Sequence, residues 1–168
     1  LFGTIAMASH QIAISLASST FMIAVGIAQA TTVLVGRAVG SKNISMARRF
    51  AGAGLLNVSV VMATTGLIFF FLPEFMAQLY TDDLSVIALA TTLIPIAGIF
   101  QIVDGLQAVT SGILRGIGDT LIPMAINLIG FWLIGLPISA YLGFGLDMAS
   151  AGLWWGMVVA LAVVCSCL

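Results

Sequence analysis

The sequence predicts an all-α fold, a polytopic membrane helix bundle of about five transmembrane helices. Of the 168 residues, 61% are hydrophobic and 7% are charged, whereas about a quarter of a typical soluble domain is charged. The apolar stretches are about 20 residues or longer, which is the length at which a helix crosses a bilayer. They are also uniformly apolar, unlike membrane-spanning strands, in which polar and apolar residues alternate.

Four breaks that carry charged and turn-forming residues divide the chain into its spans. The predicted spans are residues 10–36, 50–72, 86–114, 121–142 and 149–168. An apolar stretch that began at residue 1 would be too long for one perpendicular helix. We therefore interpret residues 1–8 as the tail of an earlier helix and a short outer loop, and we expect the chain to be a fragment of a longer protein.

The positive charges predict the orientation of the bundle. All five basic residues fall in two alternate breaks, while the other two breaks hold only acidic residues. By the positive-inside rule, the basic loops are cytoplasmic. The basic residues are Arg37, Lys42, Arg48, Arg49 and Arg115, and the acidic residues of the other two breaks are Glu74, Asp82, Asp83 and Asp147.

Several classes of function have no support in the sequence. There is no basic patch that would bind nucleic acid. A single His, no metal-ligand cluster and no nucleophile beside a base leave no catalytic residues, so we expect neither an enzyme nor a cofactor. Cys165 and Cys167 have one residue between them, which is not the spacing of a zinc site or a redox pair, and we interpret them as free thiols in a helix.

Asp104 is the residue most indicative of chemistry, because it is the only acidic side chain well inside a predicted span. It lies about 11 residues, or some 16 Å along a helix, from Arg115, which places it near the middle of the bilayer. Carboxyl groups at that depth usually face a cavity or a partner and mark an ion pathway. Burial favours the neutral form of such a group and a nearby cation favours the charged form, so it could exchange a proton or Na⁺.

Helical geometry gives this span two distinct faces. Phe100, Asp104, Gln107 and Ser111 fall within an arc of about 60°, which we expect to line a space, with Gln101 as a further candidate lining residue. Small residues form a second stripe about 130° away, where a neighbouring helix could approach closely. That stripe consists of Gly98, Gly105, Gly112 and Gly116. Prolines inside two spans, Pro95 and Pro137, predict helix kinks.

A purely structural role is the alternative for Asp104. The carboxyl group would then be protonated and hydrogen-bonded to Gln107, Gln101 or a Thr of another helix. Weaker signals have structural interpretations too: Asn57 and Asn127 as hydrogen bonds between helices, Gly36 and Gly40 as a packing pair, and His10 as an interfacial anchor. Four further aromatic residues fit a belt at the membrane interfaces, namely Trp132, Tyr141, Trp154 and Trp155.

The sequence resembles the C-terminal half of a transporter of the MATE family, the multidrug and toxic compound extrusion family. The matching stretches follow one another in the family's order and cover nearly the whole chain. They are SHQIAISLASSTFMIAVGIAQATTVLVGRAVG at 9–40, LYTDD at 79–83, FQIVDGLQAVTSGILRGIGDT at 100–120, NLIGFWLIGLPISAYLGF at 127–144 and AGLWWG at 151–156.

The resemblance implies a fold of twelve helices in two lobes, of which residues 1–168 would supply helices eight to twelve, without the N-terminal lobe and the seventh helix. It also implies export of organic cations or amphipathic drugs by alternating access, in exchange for Na⁺ or H⁺. Asp104 stands at the acidic position of the tenth helix that some members use for cation coupling. Phe100 stands where many relatives with this acidic residue have Tyr, so no hydroxyl ligand is available there. In other members, coupling resides in the N-terminal lobe.

The sequence is therefore compatible with three functions. The first is an antiporter of small organic cations or amphipathic drugs, with Asp104 as the only expected cation site. The second is a lipid-linked oligosaccharide flippase of the same superfamily, which would be expected to show a strongly cationic cavity. The third is a membrane scaffold whose helices merely associate. We expect the full-length protein to be a monomer in the lipid bilayer of the plasma membrane, which is the inner membrane if the source is bacterial.

Overall fold

The computed structural model describes residues 3–142 and 149–168 of the chain. Seven α-helices and one π-helical segment are found in this part. In chain order they are α1 (Thr4–Gly40), α2 (Ile44–Phe71), α3 (Pro73–Gln78), α4 (Leu84–Gly116), α5 (Leu121–Ile129), the π-helical segment Gly130–Gly135, α6 (Leu136–Ala140) and α7 (Ala149–Cys167). The predicted outer loop that contains Asp147 lies outside the described residues.

Four helical stretches are long and apolar enough to cross a membrane: Thr4–Gly40, Ile44–Phe71, Leu84–Gly116 and Leu121–Ala140. The last of these is α5, the π-helical segment and α6 taken together. The fifth predicted span corresponds to α7, whose apolar stretch Gly152–Cys167 is shorter. The all-helical prediction and four of the five spans are thus confirmed, and a crossing by α7 stays a prediction.

The interpretation of residues 1–8 was wrong where the structure describes them. Residues 4–8 belong to α1, which continues to Gly40 without a loop. A helix of 37 residues is about 55 Å long, nearly twice the thickness of the hydrocarbon layer. α1 must therefore tilt or extend beyond the membrane, which is how long apolar helices are usually accommodated.

α1 and α4 form the most extensive helix pair and run parallel. The hydroxyl of Ser9 donates to the carbonyl of Val86 at 3.0 Å near one end. Towards the other end, the hydroxyl of Thr32 donates to the carbonyl of Gly112 at 2.9 Å. Because the paired residues follow the same order along both helices, the C-terminal ends of α1 and α4 lie side by side. All five basic residues lie at that end of the bundle.

The glycine stripe of α4 packs as predicted, but it changes partner along the helix. A Cβ atom on Gly98 or Gly105 would meet α2, at Phe69 (3.2 Å) and Met62 (2.6 Å) respectively. A Cβ atom on Gly116 would instead meet the carbonyl oxygen of Thr32 in α1 at 2.8 Å. Along α4, the close glycine contacts therefore pass from α2 to α1, while α4 also contacts α1 near its start, where Ser9 bonds Val86.

The predicted packing pair on α1 is only half confirmed. A Cβ atom on Gly36 would lie 3.2 Å from the carbonyl oxygen of Gly116, whereas Gly40 has open space around it.

The two turns at this end of the bundle, which follow α1 and α4, share one hydrogen-bond pattern. Lys42 and Gly118 adopt positive φ angles of 59° and 93°, which end α1 and α4 in the same way.

The final part of the described chain is a tight antiparallel pair. Ser139 of α6 packs directly on Gly156 of α7, and a Cβ atom on Gly135 would lie 2.9 Å from that of Ala160. Pro137 has no N–H to donate to the preceding turn, and the π-helical segment ends two residues before it. Pro95 lies inside α4. The kinks predicted at Pro95 and Pro137 both stay predictions.

Other sequence interpretations can be compared directly with the structure. Cys165 and Cys167 are free, as expected. The aromatic belt was wrong for Trp154, which is 1% exposed, and Trp132 lies midway along its helical stretch instead of near an end. Tyr141 and Trp155 are exposed.

The contact of Gly112 with α1 gives a stability prediction. A methyl group at this position would lie 2.8 Å from the Thr32 hydroxyl and 3.0 Å from the Ala28 carbonyl oxygen, so α1 and α4 would have to separate. We expect Gly112→Ala to lower the free energy of unfolding by about 1–3 kcal/mol, measured by denaturation of the purified protein in detergent.

The matched control is Gly52→Ala. Gly52 is exposed within α2 and has no atom near its missing Cβ, so alanine there should preserve or slightly raise stability. Equal destabilisation by the two substitutions would contradict the proposed contact.

Candidate functional site

The structure separates the predicted polar face of α4 into two environments. Gln101 is completely buried where α1, α2 and α4 meet, and it is not available to line a space. Its carbonyl oxygen accepts a hydrogen bond from Thr20 of α1, and its amide donates to Thr65 of α2 at 3.0 Å. The prediction that Gln101 lines a cavity was therefore wrong, and its side chain connects three helices instead.

The rest of the predicted face points towards α5 and α7. Phe100 is half-buried and packs edge to face against Trp154 of α7, with ring centroids 5.6 Å apart. Two turns further along α4, the Gln107 amide donates a hydrogen bond to the carbonyl oxygen of Asn127 in α5. The predicted link between helices is thus confirmed for Asn127. It is wrong for Asn57, which is exposed and bonds the carbonyl of Ala53 in its own helix.

Asp104 lies between these two contacts on the same face of α4. It is half-buried, and its position one turn after Phe100 and one turn before Gln107 directs it towards α5 and α7. The structural alternative named Gln101, Gln107 or a Thr of another helix as the partner of Asp104. The amides of Gln101 and Gln107 donate elsewhere, while the carbonyl oxygen of Gln107 could still accept from a protonated Asp104. The Gln107–Asn127 hydrogen bond joins α4 and α5 here, where their backbones make few close contacts. We refer to Asp104, Gln107 and Asn127 as the α4–α5 polar cluster.

Ser111 lies one turn beyond Gln107 and is 5% exposed. Its hydroxyl has no hydrogen-bond partner among the described residues. Ser111 therefore does not line open space in this chain. Within residues 3–142 and 149–168, no three His, Cys, Asp or Glu side chains come together in a way that could hold a metal ion.

Sequence reasoning missed an aromatic group beside the cluster. The Trp154 ring also lies against His10 of α1, with ring centroids 5.7 Å apart. Trp154 packs against Ala13, Ala17, Leu93 and Ala97, and among the described residues its Nε1 has no hydrogen-bond partner. The small residues of α1 and α4 make room for the indole ring. No local sequence pattern predicts a contact between helices so distant in sequence.

Carboxylate and amide oxygens are ligands suited to a hard cation such as Na⁺. The α4–α5 polar cluster offers one carboxylate and two amide side chains from two neighbouring helices. This arrangement could bind a cation reversibly. It lies one turn from an aromatic pair, Phe100 and Trp154, whose rings could contact an organic molecule.

Comparisons with known proteins identify the family of this chain. A family model described as MatE matches residues 1–141. A probable multidrug resistance protein NorM from Xylella fastidiosa is 42% identical over 160 residues, covering 95% of this chain and 34% of that protein. The multidrug resistance protein NorM of Burkholderia vietnamiensis is 41% identical over 170 residues, covering 98% of this chain and 37% of that protein. This chain thus spans about a third of the length of these curated relatives.

A solved structure shows the same fold. The crystal structure of the eukaryotic MATE transporter AtDTX14 superposes with a TM-score of 0.91 at 26% sequence identity. The match covers 97% of this chain and 36% of that one. The apolar helices, the family match and the structural similarity together show that this chain belongs to the MATE family of multi-pass membrane transporters.

Proposed function

We propose that this chain forms part of an exporter of small organic cations and amphipathic drugs, driven by exchange for Na⁺ or H⁺. The relatives' names, which describe multidrug resistance proteins, support the substrate class. The observation that carries the proposal is the position of Asp104. Its carboxyl group lies inside a membrane-spanning helix, on the face towards α5 and α7, while the neighbouring amides bond other partners.

The physical reason for coupling is the high free energy of an unpaired charge within a bilayer. An ionised carboxylate near the membrane centre costs a few kcal/mol unless a cation, a proton or water compensates it. A coupling ion and a cationic drug can each compensate it, so they compete for the same charge. If the ion binds more tightly in the outward-facing state, its binding shifts the population towards that state and favours drug release.

Gln107 and Asn127 have a positioning role in this proposal. The Gln107 amide donates to Asn127, and the amide of Asn127 donates at 2.7 Å to the carbonyl of Pro123 in its own helix. With its NH₂ group engaged by α5, Gln107 keeps its carbonyl oxygen free to accept from, or coordinate, a neighbouring group. A cation at Asp104 could then use this oxygen as a second ligand.

The proposal also covers the location and the assembly of the transporter. We propose that the complete transporter lies in the plasma membrane as a monomer, with the basic ends of α1, α2 and α4 facing the cytoplasm. The segregation of all five basic residues at one end of the bundle supports this orientation.

The decisive test is Asp104→Asn in the complete transporter that contains this chain. Asparagine preserves the size of the side chain but cannot carry the charge that attracts the coupling ion. We expect efflux of a cationic dye, driven by an imposed Na⁺ or proton gradient, to fall at least about tenfold in cells that express the variant at equal levels.

Asp82→Asn is the matched control, because Asp82 carries the same charge in the exposed turn before α4. It should leave efflux unchanged. If Asp104→Asn retained wild-type efflux with the same dependence on ion gradients, coupling through Asp104 would be ruled out.

Asn127→Leu tests the positioning role separately. Without its acceptor on α5, Gln107 loses the hydrogen bond that fixes its carbonyl oxygen, and such bonds between membrane helices contribute about 1 kcal/mol. We expect the concentration of coupling ion needed for half-maximal efflux to rise about fivefold, with maximal efflux retained at saturating ion concentration.

Asn57→Leu provides the control for this measurement, because Asn57 is an exposed Asn that bonds only its own helix. A similar shift in both variants, or none in Asn127→Leu, would remove Asn127 from the site.

A further inference from the structure

An apolar groove lies at the basic end of the bundle, away from the α4–α5 polar cluster. The glycine stripe of α4 faces α2 at Gly105 but α1 at Gly112 and Gly116, so its close glycine contacts at this end are with α1. Side chains of α1, α2 and α4 line a groove of about 180 Å³ there.

The groove is apolar apart from one side chain. Val35 and Val39 of α1 line it together with Ala47 and Ala51 of α2 and Ile113 and Ile117 of α4. The exception is Arg48, which also lines the groove and is exposed. Ile117 is 50% exposed, so apolar surface remains uncovered at the level where the charged residues begin.

The charges around the groove are complementary to an anion. Arg37, Lys42, Arg49 and Arg115 lie at the same end of the bundle as Arg48. Asp119, the acidic residue at this end, does not line the groove, and its carboxylate accepts a hydrogen bond from the backbone N–H of Ile122. An apolar groove with a cationic side chain, at the boundary between a membrane span and a basic loop, matches a phospholipid with a negative headgroup.

We propose that this groove binds an anionic phospholipid. Arg48 contacts the phosphate, and an acyl chain lies along the groove between α2 and α4. Bound there, the lipid would cover the apolar surface that Ile117 leaves exposed. This inference concerns a site separate from Asp104 and does not depend on the coupling proposal.

The test compares lipid binding by variants of the complete transporter. The purified protein would be titrated in neutral detergent with phosphatidylglycerol or phosphatidylcholine, and the bound lipid measured by native mass spectrometry. We expect phosphatidylglycerol to bind more tightly, and Arg48→Gln to weaken its binding about fivefold. Binding of phosphatidylcholine should change by less than twofold.

Arg49→Gln is the matched control. It removes the same charge from the adjacent, exposed position, which does not line the groove, so it should change phosphatidylglycerol binding by less than twofold. Ala51→Phe, which places a ring in the groove and keeps both arginines, should weaken binding as much as Arg48→Gln. Equal losses in the two arginine variants would indicate diffuse attraction to basic residues and would overturn the proposal, as would unchanged binding in Arg48→Gln.

Discussion

α1 and α4 lie side by side over most of their length, and the rest of the described structure is arranged around this contact. Association of helices in a bilayer gains little from the hydrophobic effect, because lipid tails are as apolar as the side chains they would replace. Close packing and hydrogen bonds must supply the attraction instead. Glycines on α4 allow that approach, and hydroxyl groups of α1 donate across it, as Ser9 and Thr32 do.

This contact fixes the rotation of α4, and rotation decides the fate of its polar residues. With the glycine stripe turned towards α1 and α2, Gln101 is enclosed in the junction of three helices, where every polar atom needs a partner. The opposite face is turned towards α5 and α7, where Asp104 and Gln107 lie. Two glutamines on one helix thus have different roles: Gln101 joins three helices, whereas Gln107 donates a hydrogen bond to Asn127 of α5.

The sequence was sufficient for four of the spans and for the glycine stripe, because these depend on hydropathy and on a fixed helical rotation per residue. The burial of Gln101 could also have been predicted from the same helical rotation. It lies about 40° from the centre of the glycine stripe and about 90° from the centre of the polar face, so it belongs to the packed side. The burial of Trp154 could not be predicted, since no local pattern shows which distant helix covers an indole ring. The start of α1 could not be predicted either, since no local pattern shows whether an apolar run is interrupted by a loop.

The unequal contacts of α4 also suggest how the bundle could change shape. α5, α6 and α7 hold together through small residues, and α6 approaches α7 so closely that Ser139 leaves no room for a Cβ atom at Gly156. Trp154 packs in one apolar cluster with residues of α1 and α4, and the Gln107–Asn127 hydrogen bond links α4 to α5. One such hydrogen bond between helices contributes about 1 kcal/mol. In the proposed coupling, a cation that compensated the charge of Asp104 would bind one helical turn from this hydrogen bond, so its binding could alter the separation of α4 and α5.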